Sequence, residues 1–124
     1  MKLSDEQIKS FKELGYVFLE NVFDAQEVKK MNDELPKMYS LDREEVQKEK
    51  DGKAVRTVFA AHTFSDIYSD LSRHPRIVEP AMQLLEGDVY IHQFKINAKE
   101  AFDGDLWQWH QDYGTWKNDD EMPE

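Results

Sequence analysis

A histidine and an aspartate stand two positions apart near the end of the chain, as His-Gln-Asp at residues 110–112. The residue pattern over positions 106–113 predicts a β-strand, and residues two apart on a strand share a face. His110 and Asp112 would then offer an imidazole and a carboxylate to one metal ion. One further histidine would complete the two-histidine, one-carboxylate triad of non-haem iron(II) oxygenases, which leaves coordination positions open. The alternative is a structural histidine that is hydrogen-bonded to an acid.

A second predicted strand, residues 89–98, carries polar side chains along one face. By alternation Gln93, Lys95 and Asn97 fall on that face, and His92 falls on the opposite one. Long polar groups inside a barrel need partners, and a bound dicarboxylate would supply them. The alternative is that this row is the solvated side of an edge strand. The pattern alone leaves both interpretations open.

Other histidines and tryptophans are weaker candidates for a site. His62, His74 and His92 are third-ligand candidates only in principle. His74 precedes a predicted helix start, where capping or surface roles are more common. Trp107 and Trp109 fall on the face opposite the metal ligands and are expected to pack in the core. Trp116 lies past the strand, so it either packs in the core or walls a pocket for a compact cationic or zwitterionic ligand.

Helices and short strands are predicted over the rest of the chain. Ser4 and Asp24 are expected N-caps, the first in a capping box with Gln7, and Gly15 is expected to stop the first helix. Pro36 marks the end of the second helix or a kink in it. Further helices are predicted at residues 64–71 and 75–86, and further strands at residues 16–19 and 55–60.

Composition and charge exclude several classes of protein. The 124 residues are 40% hydrophobic, enough for one domain with a core. A net charge of −10 repels phosphate backbones and anionic membranes, so no nucleic-acid or membrane partner is expected. The absence of cysteine excludes disulfides and thiolate metal sites. Without a signal-peptide pattern or a long apolar run, we expect a cytoplasmic protein. Residues 42–51 mix both charges and are expected to form an exposed helix or a mobile loop.

Several of these segments together resemble the phytanoyl-CoA dioxygenase superfamily, and within it the ectoine hydroxylases. The resemblance is carried by residues 55–59, His62, residues 75–76, 84–93, 96–97, 109–116 and 120–123. It covers about residues 53 to 123 well and the first 50 residues in layout only. The family's fold is a double-stranded β-helix, a jelly-roll barrel with iron at one mouth. The resemblance therefore implies an α+β protein with a mainly β core, in which N-terminal helices precede a partial, incomplete barrel.

The resemblance also implies a chemistry. His110 and Asp112 would bind iron(II), with 2-oxoglutarate and dioxygen as cosubstrates. The reaction would be the hydroxylation of a small metabolite, ectoine or an amino-acid-like compound. Residues 1–124 would be one domain, the N-terminal part of the dioxygenase domain, with the family's late histidine and arginine outside this chain. The implied binding residues are Gln93, Lys95 and Asn97 for the cosubstrate, and Gln93 and Trp116 for the substrate.

Two other hypotheses stay open at this stage. Where ectoine hydroxylases have Ser-Arg, this chain has Phe94-Lys95, and this departure leaves the substrate open. Separately from the substrate, the two alternatives to an iron hydroxylase are a non-catalytic relic that binds a small polar ligand or a partner, and a module that forms a homodimer through exposed strand edges and completes a site between subunits.

Overall fold

The computed structural model describes residues 1–101, residue 106 and residues 108–117. The helices are α1 (Asp5–Leu14), α2 (Ala25–Tyr39), α3 (Asp66–Ser72), α4 (Pro75–Leu85) and α5 (Asp112–Trp116), with a 3-10 helix at Ala61–Thr63. The strands are β1 (Val46–Lys48), β2 (Val55–Phe59) and β3 (Lys95–Asn97). Over the described residues, no helix is both long and apolar enough to cross a membrane.

Local sequence signals set the starts of the first two helices and the end of α1, as predicted. The Ser4 hydroxyl accepts the Gln7 N–H and the Gln7 side chain accepts the Ser4 N–H, which closes the expected capping box. Asp24 caps α2 in the same way. Gly15 ends α1 with a φ of +80°, a conformation that glycine adopts without strain. α2 continues past Pro36 to Tyr39, so this proline does not end the helix, and the alternative of a kink stays a prediction.

The three strands form one antiparallel sheet in the order β1-β2-β3. Val46 of β1 lies opposite Val58 of β2, and Val58 lies opposite Ile96 of β3. Directly opposed residues share a face, so these three apolar side chains lie side by side on one face of the sheet. They face the core, because Val58 is fully buried and Val46 and Ile96 pack against the buried cluster.

Helices α2 and α3 contribute the other half of that core. Met38 of α2 and Ala61 are fully buried, and Tyr68 of α3 is only 4% exposed. The Tyr68 hydroxyl donates to the Met31 carbonyl in α2 across 2.9 Å, which satisfies a buried polar group and joins the two helices. Phe94 lies 6.1 Å from the Tyr68 ring, so the segment that enters β3 is anchored on this core.

Several predicted elements are corrected by the structure. The segment 42–51 is not a helix or an irregular loop throughout, because β1 forms there and pairs with β2. Residues 16–19 form no strand, and the strand predicted at 89–98 is shortened to β3. Residues 108–111 form no strand and α5 follows them, so the strand predicted at 106–113 is wrong. The described part also has more helix than strand, so the expected predominance of β structure is wrong there.

Candidate metal centre and adjoining cavity

The predicted metal-ligand pair is brought together, although not by a strand. His110 Nε2 lies 3.2 Å from Asp112 Oδ1. Asp112 is the first residue of α5 and His110 belongs to the irregular segment before it, so the turn into the helix places the two side chains together. Two donors that each lie about 2.1 Å from one ion, at right angles, are about 3 Å apart. The pair therefore fits two neighbouring positions around a metal ion.

The orientation of the His110 ring also suits metal binding. His110 Nδ1 lies 2.7 Å from the Gln108 carbonyl oxygen. A carbonyl only accepts, so Nδ1 carries the proton and donates it, and Nε2 keeps its lone pair in the neutral ring. Nε2 then lies 3.2 Å from the Asp112 carboxylate oxygen, and a cation or a second proton would stabilise these two neighbouring acceptors. Fixing a ligating imidazole through its other nitrogen is the usual arrangement in protein metal sites.

The pair is open to solvent in this chain. The side chains of His110 and Asp112 are 54% and 70% exposed. Trp109 is fully exposed, so the expectation that it packs in the core is wrong. Among the described residues, no group of three histidine, cysteine, aspartate or glutamate side chains is placed to hold a metal ion. The described residues therefore bring together the two predicted ligands, His110 and Asp112.

The remaining histidines have other surroundings. His74 is the N-cap of α4, where its Nδ1 accepts the Arg76 N–H across 3.2 Å, so the capping role is confirmed. The His62 ring lies 5.1 Å from the Phe94 ring, and its Nδ1 is a buried atom without a hydrogen-bond partner in the described part of the chain. Neither histidine approaches His110 as a third ligand.

A cavity of about 450 Å³ adjoins Asp112. Gln93 and Lys95 line it together with Asp112, which brings two of the predicted cosubstrate residues to the metal-ligand pair. This volume is within the range of small-molecule sites, about 300–1,000 Å³. His92 lines the same cavity, although the strand pattern placed it on the face away from Gln93. The reason is that residues 89–92 belong to no strand, so strand alternation does not place His92.

From Gln93 to Ala98 the predicted alternation holds. Gln93, Lys95 and Asn97 are exposed, whereas Phe94, Ile96 and Ala98 pack against the core. The Asn97 side chain accepts a hydrogen bond from Thr57 of β2, with 3.1 Å between Oγ1 and Oδ1. Sequence reasoning missed Thr57, since nothing in a short apolar strand marks one hydroxyl as part of a site before the strand register is known.

Two other sequence predictions are untested by this geometry. Trp116 is the last residue of α5, and its role as a pocket wall stays a prediction. Trp107 and residues 120–123 lie outside the described residues. A second cavity of about 250 Å³ lies between α2 and α3, lined by Phe23, Met31, Ile67 and His74 among others, and it contains none of the residues predicted to bind cosubstrate or substrate.

Comparison with known proteins decides the family. The model of the phytanoyl-CoA dioxygenase (PhyH) family matches residues 11–124. The chain belongs to the phytanoyl-CoA dioxygenase family. It is 38% identical to the ectoine dioxygenase of Bordetella parapertussis, over 98% of this chain and 41% of that protein. It is 36% identical to the L-proline trans-4-hydroxylase of Streptomyces griseoviridis, over 87% of this chain and 40% of that protein.

Solved structures agree with this family membership. A crystal structure of EctD from S. alaskensis with 2-oxoglutarate and 5-hydroxyectoine matches with a TM-score of 0.84 and 31% identity, over 92% of this chain and 42% of that chain. EctD with bound Fe matches with a TM-score of 0.82 and 33% identity, over the same shares of both chains. The helices and the unclosed antiparallel sheet are thus similar to one part of EctD, and the chain spans about two fifths of the relatives it matches.

Proposed function

We propose that this chain is the N-terminal part of an iron(II)- and 2-oxoglutarate-dependent hydroxylase of a small metabolite, ectoine or an amino-acid-like compound. The observation that carries the proposal is the His110–Asp112 pair, 3.2 Å apart, with the imidazole held through Nδ1 by the Gln108 carbonyl. In this proposal residues 1–124 are one domain, whose sheet is part of a double-stranded β-helix. Family membership supports this interpretation over that of an acidic protein with an accidental His-x-Asp sequence.

His110 and Asp112 are the residues that would hold iron. Bound iron would supply the oxidative chemistry by which dioxygen and 2-oxoglutarate hydroxylate an unactivated C–H bond. The protein's task is then to orient the two cosubstrates and the substrate and to exclude water. Nitrogen and carboxylate donors suit iron(II), and an ion next to Asp112 would be at the edge of the 450 Å³ cavity.

Lys95 and Gln93 are proposed to bind the cosubstrate on the wall of that cavity. The Lys95 ammonium would pair with a carboxylate of 2-oxoglutarate, and the Gln93 amide would donate to it or to the substrate. Asn97 follows on the same exposed face. Trp116 is proposed to contact the substrate at the far end of α5.

We propose a small zwitterionic compound as the substrate, of a size that the 450 Å³ cavity accommodates. Lys95 and Asp112 of the cavity wall are assigned to the cosubstrate and the iron, so they do not select the substrate. Two relatives point the same way, because their names give ectoine and L-proline as the compounds they act on.

The test is an anaerobic titration of the chain with iron(II) and 2-oxoglutarate, following the visible metal-to-ligand charge-transfer band. We expect the band with the wild-type chain and its loss in His110→Ala and Asp112→Asn. Gln108→Ala is the matched control, because it changes the same exposed segment but keeps both ligands and the backbone carbonyl that orients His110. Gel filtration of the same samples shows whether two chains complete the site. A band that survives His110→Ala, or no band with the wild-type chain, would contradict the proposal.

A further inference from the structure

Thr57 lies beside the proposed cosubstrate residues without having been predicted as one of them. We propose that Thr57 is a positioning residue, whose hydroxyl fixes the Asn97 amide so that Nδ2 donates to the bound 2-oxoglutarate. This inference rests on the proposed function and adds to it a residue of β2, some forty positions upstream of Asn97 in β3.

The register of the sheet places Thr57 on the polar face. Thr57 lies opposite Gln47 of β1 on one side and opposite Asn97 of β3 on the other. Opposed residues share a face, so the three form a polar row across the sheet, on the face opposite Val58. Lys95 is two residues from Asn97 on β3 and therefore belongs to the same face.

The burial of Thr57 distinguishes it from an ordinary surface threonine. It is only 2% exposed, although it stands on the polar face of the sheet. A buried hydroxyl needs a hydrogen-bond partner, and Asn97 Oδ1 accepts from it across 3.1 Å. Gln47, the other neighbour in the row, donates its side-chain amide to the Glu44 carbonyl instead. The Thr57 hydroxyl is thus hydrogen-bonded to Asn97 and not to Gln47.

This hydrogen bond decides which end of the Asn97 amide is left for a ligand. An asparagine side chain has an acceptor oxygen and a donor NH₂ group, and a half-turn of the amide exchanges them. Because Oδ1 takes the Thr57 proton, the NH₂ group is directed away from Thr57. In the described part of the chain the Thr57 contact is the one hydrogen bond of the Asn97 side chain, so Nδ2 is left to donate. A donor beside the Lys95 ammonium suits an anion such as a carboxylate.

Removing the hydroxyl should weaken the binding of 2-oxoglutarate without changing the metal ligands. In Thr57→Val the side chain keeps its shape, but the Asn97 amide loses the contact that fixes its orientation. The net contribution of one hydrogen bond corresponds to about a three- to tenfold change in Kd. Thr57→Ser keeps the hydroxyl and should bind within about twofold of the wild-type chain.

The experiment is an NMR titration of the chain with 2-oxoglutarate in the presence of zinc(II), a diamagnetic ion that takes the same nitrogen and oxygen donors. The ligand-free spectra come first, since the Asn97 Cγ and Nδ2 resonances should move in Thr57→Val and stay in place in Thr57→Ser. The Kd of 2-oxoglutarate is then measured for both variants, for Asn97→Ala and for the Thr57→Val, Asn97→Ala double variant. If Thr57 acts through Asn97, the double variant binds no more weakly than Asn97→Ala alone.

Asn97→Asp keeps the test decisive if Thr57→Val does not fold. It changes an exposed residue, retains the acceptor for Thr57 and removes the Nδ2 donor, so 2-oxoglutarate should bind at least as weakly as to Thr57→Val. Two results would overturn the role of Thr57 and leave the proposed function standing. The first is wild-type affinity for 2-oxoglutarate in Asn97→Asp or in Thr57→Val. The second is that Thr57→Val lowers this affinity equally in the wild-type chain and in the Asn97→Ala chain. A wild-type chain that shows neither the iron charge-transfer band nor 2-oxoglutarate binding would overturn the proposed function as well.

Discussion

Replacing Tyr68 with phenylalanine removes one buried hydroxyl from the core against which Phe94, the residue before β3, packs. The Tyr68 hydroxyl donates to the Met31 carbonyl across 2.9 Å, and its ring packs against Phe94, next to Gln93 and Lys95. Phenylalanine keeps the ring and loses only the hydrogen bond, whose net contribution is about 1 kcal/mol. We expect the free energy of unfolding to fall by about that amount at neutral pH, and Tm to fall by about 4 °C.

The same substitution has a pH dependence with a definite sign. Burial, with smaller effects from Tyr39 and Glu34, raises the pKa of Tyr68 to about 12. In the unfolded chain a tyrosine titrates near pH 10. Between these values the unfolded state loses the proton that the folded state keeps, so the free energy of unfolding of the wild-type protein falls as pH rises. The stability contributed by the protonated Tyr68 hydroxyl is complete below about pH 10 and is lost towards about pH 12. The Tyr68→Phe variant lacks this pH-dependent contribution.

The assay is urea unfolding followed by far-UV circular dichroism, at intervals from about pH 8 to about pH 11. The wild-type protein should be the more stable one at the lower pH, and its advantage over Tyr68→Phe should shrink above about pH 10. Tyr16→Phe is the matched control, because Tyr16 is 64% exposed and the same change there should leave stability nearly unaltered. A difference between wild type and Tyr68→Phe that stays constant over this range would refute the reasoning.

Three further substitutions test how the helices are held. Gly15→Ala should lower the free energy of unfolding by about 1 kcal/mol, because Gly15 has a φ of +80°, whereas Gly87→Ala, at a glycine without positive φ, should be nearly neutral in the same urea titration. Asp24→Ala should cost about 1 kcal/mol through loss of the α2 cap, and equal stability of the variant would contradict the capping geometry. The pKa of Glu27 is lowered, first by its hydrogen bond from Arg76, so this contact stabilises the fold above the ordinary glutamate pKa and is lost as pH falls below it. Arg76→Gln should therefore flatten the acid side of the stability profile, and an unchanged acid side would count against this pairing.

Helix ends were predictable from the sequence because their causes are local. A cap at Ser4 or Asp24 depends on residues within one turn, and the glycine that ends α1 acts through its own backbone angles. Strand β1 was missed for the opposite reason. Val46-Gln47-Lys48 has little strand character by itself, and it becomes a strand through pairing with β2 across a charged turn.

The residue pattern was a good guide only where a strand had a partner. In β3, which pairs with β2, the polar and apolar sides were predicted correctly from Gln93 to Ala98. Residues 89–92 and 108–111 show a similar pattern, but in the described part of the chain they pair with no strand and adopt irregular conformations. A pattern of period two predicts on which face a side chain lies if a strand forms. The strand itself forms only when its backbone hydrogen-bonds to another strand.

The His110–Asp112 pair shows why two candidate ligands can lie close together although the predicted strand is wrong. Residues two apart on a strand have Cα atoms about 6.6 Å apart, and a turn brings them at least as close, so either conformation allows both side chains to reach one ion. The spacing in sequence therefore brings the two candidate ligands together almost independently of local structure. Gln93 and Lys95 belong to a different segment of the chain from Asp112. Whether they line the same cavity as Asp112 therefore depends on the position of Phe94 in the core. For Thr57 the polarity pattern of the sequence gives no signal. Only the register between β2 and β3 brings its hydroxyl within hydrogen-bond distance of Asn97.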